Sequence, residues 1–132
     1  MSGNPKPGVQ ERILLHLRDY VDYKSSVEVP FALSQMGIAN AVAIARSNVP
    51  RAIASLKDSG LLVERQAHVS GVARKRKAYF LTDSGITTAE ETWHRLREHP
   101  VHCLLEDGSS KRSELGFVHE ILPFPMRPVD VI

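Results

Sequence analysis

A chain of 132 residues with 42% apolar and 24% charged side chains has the composition of one compact domain with a real core, not of a disordered protein. No apolar run approaches the ~20 residues that span a bilayer. Met1 to Gly8 lacks the apolar stretch of a secretory signal and reads as cytosolic, and the single Cys103 excludes an internal disulfide framework. The formal net charge of +2 conceals an asymmetry: residues 46–80 hold eight Arg or Lys against two acids, and the remainder holds nine bases against thirteen acids. One basic window in a mildly acidic chain can steer a polyanion to one face.

In chain order, residues 1–8 read as a disordered tail. Val9–Tyr20 reads as a helix, since Val9, Ile13, Leu14 and Leu17 share one apolar face. Val21–Glu28 is a polar connection. Val27–Phe31 is a short extended piece, because Pro30 biases its predecessor away from helix. Ser34 is the predicted N-cap of a short helix from Gln35 to about Val42. Ala43–Ala45 is a tight turn, and Ala39 and Ala43 supply the small side chains that a close helix crossing needs. A second helix is predicted from Arg46 or Ser47 to Ser59, with Val49, Ile53 and Leu56 as its apolar stripe. Pro50 is tolerated only in the first turn and costs roughly 3 kcal/mol further in, so the helix starts late, with Ser47 as N-cap. Gly60 stops it.

Leu61–Arg65 and Ala78–Leu81 read as two strands, joined through Gln66–Lys77 with Gly71 and the bases Arg74, Lys75, Arg76 and Lys77 at a basic hairpin tip. Thr82-Asp83-Ser84-Gly85 carries helix-capping chemistry ahead of a helix over Ile86–Glu98, which Pro100 ends. Val101–Leu105 is a strand candidate and Glu114–Leu122 a helix candidate, and Pro123–Ile132 is an extended tail. The organisation is thus a tail (1–8), a domain (9–98) and an extension (99–132).

Helix, short helix, turn, helix, strand, basic hairpin, strand, helix is the order of an α+β winged helix-turn-helix: a three-helix core plus a β-hairpin wing, here with an added C-terminal helix and a short extension. An α-helix fits the major groove of B-DNA, and a basic hairpin beside it reaches phosphates. Gln35–Gly85 resembles winged-helix regulators of the MarR type, especially archaeal-like forms. The resemblance is carried by Gly37-Ile38-Ala39, by Arg46 to Ile53, by Leu56 to Leu62 and by Arg76 to Gly85. It extends weakly through Trp93–Arg97, where such proteins often carry a dimer helix, and does not reach residues 101–132.

The resemblance implies that the second helix reads bases and the hairpin holds the backbone. On that reading Arg46, Ser47, Asn48 and Arg51 open the recognition helix. Arg pairs bidentately with guanine and Asn with adenine, each worth roughly 1–3 kcal/mol of discrimination. Lys57 meets phosphate or nothing. Ser34 and Gln35 open a helix whose first amides can hold a phosphate, and Arg74, Lys75, Arg76 and Lys77 belong to the wing. Pro50 departs from the pattern, standing where a small polar residue is usual.

The implied function is sequence-specific binding of double-stranded DNA by a homodimeric, cytoplasmic transcription regulator with no cofactor, any effector being left open. A run of bases alone is equally a solvated face; the helix-turn-helix beside it favours DNA. Two other readings stand: a protein-interaction module, and the DNA-binding front of a larger sensor or nucleotide-dependent protein. His94, His99, His102 and Cys103 match no strong zinc spacing, and His68 reads as an exposed wing residue. Trp93 suits either packing on the first helix or a dimer contact. No phosphate loop, triad or paired carboxylates point to an enzyme.

Overall fold

A computed structural model describes residues 8–98 in full and residues 100–104 and 110–114 at the level of the backbone. Four helices, α1 (Val9–Arg18), α2 (Gln35–Val42), α3 (Val49–Asp58) and α4 (Asp83–Leu96), surround a sheet of β1 (Glu28–Val29), β2 (Leu62–Val69) and β3 (Lys75–Leu81). The strand order is β1-β2-β3, with β1 parallel and β3 antiparallel to β2. This is the α+β winged-helix arrangement expected from the sequence.

The core follows from the helix stripes. Ile13 and Leu17 of α1, Ile38 and Val42 of α2, Val49, Ile53 and Leu56 of α3, and Tyr79 and Leu81 of β3 are buried together. Burying each large side chain contributes about 1.5–3 kcal/mol before entropy is counted. Leu15 and His16 widen the buried face of α1, and the His16 Nε2 hydrogen-bonds the Ala32 carbonyl at 2.7 Å. Helix α4 lies on α1. Arg18 pairs with Glu90 at 2.8 Å and stands 5.5 Å from the Trp93 ring centroid, and Arg95 pairs with Glu11. Trp93 is half-buried and faces Arg18 of α1 without joining the core.

Several boundaries move. The short extended piece is only Glu28–Val29, and Phe31–Leu33 is a turn of 3-10 helix. Ser34 caps α2 as expected, accepting from the Gly37 amide at 3.1 Å. Ala43 is not at a helix crossing; it is exposed and closes α2 in the left-handed conformation, φ 56°. Arg46–Asn48 is a separate 3-10 turn, so α3 begins at Val49 with Asn48, not Ser47, at its N-cap position and Pro50 harmlessly in the first turn. Gly60 stops α3 at φ 75°. Helix α4 starts three residues before Ile86, because Thr82 Oγ1 accepts from Gly85 N at 3.0 Å and starts the helix at Asp83.

The wing strands are longer than their apolar stretches indicate. Cross-strand pairing carries polar residues as far as His68 opposite Lys75, and only Ser70–Arg74 form the tip. In the extension, β4 (Pro100–Leu104) matches the strand candidate, and it pairs antiparallel with β5 (Ser110–Glu114), which the sequence pattern did not reveal. Apart from Glu114, which ends β5, the Glu114–Leu122 helix candidate lies outside the described residues, as do the proline-rich tail and residues 1–7.

Candidate nucleic-acid interface

Position along α3 decides which side chains face outward. Val49, Ala52, Ile53 and Leu56 are buried, leaving Pro50, Arg51, Ala54, Ser55, Lys57 and Asp58 exposed. Arg46, Ser47 and Asn48 precede them on the exposed 3-10 turn. The outward face is thus polar and small at its N-terminal end and ends at Asp58, whose negative charge opposes a phosphate.

The wing is built on two halves of one strand. Ala78–Leu81 are buried, whereas Lys75, Arg76 and Lys77 are exposed, with Arg74 beside them in the tip. Backbone alternation turns Lys75 and Lys77 one way and Arg76 the other, but the long side chains of Arg76 and Lys77 both reach one groove. The wing is braced from outside: Val29 of β1 opposes Val69, both buried, and the Ser70 amide donates to the Val29 carbonyl at 3.0 Å. Arg65 ties the preceding loop to β2 by donating to the Lys24 and Ser26 carbonyls at 2.9 and 2.8 Å, its guanidinium 4.6 Å from the Phe80 ring centroid.

Between α2 and the wing runs a groove of about 560 Å³. Arg46 of the lead-in turn, Arg76 and Lys77 of the wing, and Ser34 and Gln35 of α2 line it, over the apolar surface of Phe31, Met36 and Val72. Asn48, Arg51 and Ser55 line a separate groove between α3 and the start of α1. The expected cations therefore lie on two flanks of α3, with Arg46 on the wing side.

Polar contacts hold these parts at fixed angles. Gln35 Nε2 donates to the Tyr79 hydroxyl at 3.2 Å, joining α2 to β3. Burial raises the Tyr79 pKa above its ordinary value, helped by the nearby Glu64 carboxylate, while the Gln35 hydrogen bond opposes the shift. Lys57 Nζ donates to Glu64 Oε1 at 3.2 Å, joining α3 to β2. Ser34 is buried, its hydroxyl donating to the Phe31 carbonyl at 2.7 Å while accepting from Gly37. Tyr79 and Glu64 are participants that sequence reasoning missed; the only sequence signal was a polar residue on each wing strand, which does not reveal the cross-strand register. Ala54 and Ser55 were also missed as outward-facing residues, although the stripe of Val49, Ile53 and Leu56 implies them.

Among the described residues no group of three or more His, Cys, Asp or Glu could hold a metal ion, and no helix is long and apolar enough to cross a membrane. His94 is exposed on α4; His99 and the side chains of His102 and Cys103 lie outside the described residues. No protein-family model and no curated protein matches the chain. Solved structures do. MepR, a transcription regulator of the Staphylococcus aureus multidrug efflux pump MepA, superposes with a TM-score of 0.51 at 23% identity over 67% of this chain. A ZitR variant from Lactococcus lactis superposes with a TM-score of 0.51 at 21% identity over 66% of this chain. The chain has the winged-helix fold of MarR-type regulators. It spans little more than half the length of those two proteins, 56% and 55%.

Proposed function

We propose that this winged-helix chain binds double-stranded DNA as a MarR-type transcription regulator, in the cytoplasm and as a homodimer. The observation that carries the reading is the shared groove: Arg46, ahead of the recognition helix, and Arg76 and Lys77 of the wing stand on one surface, although they are thirty residues apart in the chain. Positive charge from two elements on one face is what a phosphate backbone recruits. MepR, which has a similar fold, is itself a transcription regulator.

The roles divide by position. Arg51, Asn48 and Ser47 are the side chains proposed to approach base edges, because they sit at the outward N-terminal end of α3. Arg46, Arg74, Lys75, Arg76 and Lys77 hold phosphates. Ser34 and Gln35 contribute through the first amides of α2 and through their grip on the wing, since their side chains are engaged with Phe31, Gly37 and Tyr79. Lys57 acts at the helix–wing junction. Two copies about a two-fold axis would set their recognition helices one helical turn apart on the duplex.

Selection of bound sequences from random duplex DNA, combined with the mass of the complex, tests the reading. A palindromic site bound by two chains, with affinity that falls steeply as salt rises, is the expected result. Absence of retention on any duplex at low salt would overturn it and favour a protein-interaction role.

A further inference from the structure

Lys57 and Lys77 leave different elements and meet the same carboxylate. Lys57 Nζ lies 3.2 Å from Glu64 Oε1, and Lys77 Nζ lies 3.8 Å from Glu64 Oε2. Glu64 stands on β2 directly opposite Tyr79, whose hydroxyl is gripped by Gln35 of α2. The carboxylate therefore occupies the angle in which α3, the wing and the start of α2 converge.

That angle has a meaning on a duplex. With α3 in a major groove and the wing on the backbone beside it, as proposed above, a sugar–phosphate strand bordering that groove runs past the gap between helix and wing. Two ammonium groups flanking one anion are what such a phosphate would find there, except that Glu64 already holds the place. We infer that Glu64 is an internal stand-in for a DNA phosphate: it holds Lys57 and Lys77 in the free protein, and a backbone phosphate takes over both cations on docking. This rests on the DNA reading above.

Both ion pairs are open enough to exchange. The side chains of Lys57 and Lys77 keep 40% and 60% of their exposure and that of Glu64 keeps 28%, so water and salt screen the pairs. The trio of Lys57, Lys77 and Glu64 presents one net positive charge to the strand; in Glu64→Gln it presents two. The carboxylate thus lowers affinity for every duplex alike. It leaves the contacts of Arg51 and the α3 turn to decide which duplex is preferred, and holds down the affinity common to all of them.

The test uses the full chain, its Glu64→Gln variant, and a fluorescent random-sequence duplex titrated across salt concentration. Glu64→Gln is expected to bind about three- to tenfold more tightly near 50 mM salt, with a log–log salt slope steeper by about 0.9 for each further phosphate neutralised. The advantage should shrink by about threefold per such phosphate on going to 200 mM. Adding Lys57→Ala to Glu64→Gln should remove part of the extra slope. A Glu64 that only braces the wing would instead give weaker binding and a lower melting temperature with no steepening. Wild-type binding together with an unmoved or shallower slope in Glu64→Gln overturns this inference alone. Failure of both proteins to bind any duplex overturns the DNA reading and this inference with it.

Discussion

The outward face of α3 and the wing are both exposed, yet they are chemically unlike. The helix presents Pro50, Arg51, Ala54, Ser55 and Asp58, mostly small side chains with opposed charges, and its Lys57 is engaged by Glu64. The wing presents Arg74, Lys75, Arg76 and Lys77 in succession. Small side chains let a helix backbone come close to base edges, where geometry discriminates. Long cationic ones tolerate loose fit, because phosphates are everywhere along the duplex. On the proposed DNA reading, the difference assigns affinity and selectivity to separate elements, which Gln35–Tyr79 and Lys57–Glu64 hold together.

The strongest way to break that division is to replace Arg74, Lys75, Arg76 and Lys77 together by Ala. Binding to all sequences should fall by about two to three orders of magnitude at low salt, with the salt slope shallower by roughly 3. A loss confined to one sequence would contradict the division. Gly37→Ala attacks the seat shared by both regions. A Cβ there would lie 2.0 Å from the Phe31 carbonyl oxygen and 2.7 Å from the Ala32 Cα, both backbone atoms that cannot swing aside. We expect a loss of about 3 kcal/mol in denaturant unfolding, and binding through helix and wing should be lost together.

Arg51→Ala sharpens the comparison from the helix side. Base preference should relax by about 1–3 kcal/mol at one position of the selected site, with random-duplex affinity changed much less. Ala43→Gly relieves the left-handed residue that leads out of α2 at φ 56°. It should stabilise the protein by about 0.5–1 kcal/mol, measured by urea midpoint, without altering DNA selectivity.

The smallest effect lies away from both regions. The hydrogen bond from Arg18 lowers the Glu90 pKa, with the Arg18 and His94 charges adding to the shift and desolvation opposing it. A depressed carboxyl pKa adds stability that is present above the unfolded value and lost as pH falls through the folded one. Because the Glu90 side chain is 45% exposed, solvent screening limits the contribution to about 0.5 kcal/mol or less. Glu90→Gln should flatten the stability profile below pH ~4 by that amount.

Local chemistry was legible wherever one short segment contains its own cause. The Ser34 cap, the Gly60 stop, the stripe of Val49, Ile53 and Leu56, and the early position of Pro50 each depend on neighbours within a turn or two, so residue type and spacing were sufficient. The wing's limits were less legible, because Gln66, His68 and Lys75 are polar and join their strands only through cross-strand pairing. The placing of Arg46 in a groove with Arg76 and Lys77, and of Arg51 in another, depends on how α3 rolls against α1 and the sheet. Residue order alone determined that there would be a helix-turn-helix beside a basic hairpin. Tertiary packing alone decided that Glu64 would face Lys57 and Lys77, and that Gln35 would reach Tyr79. Hydrophobic periodicity specifies which face of each element is buried; it does not specify the angle and register at which two elements meet, and those set every distance between charges far apart in the chain.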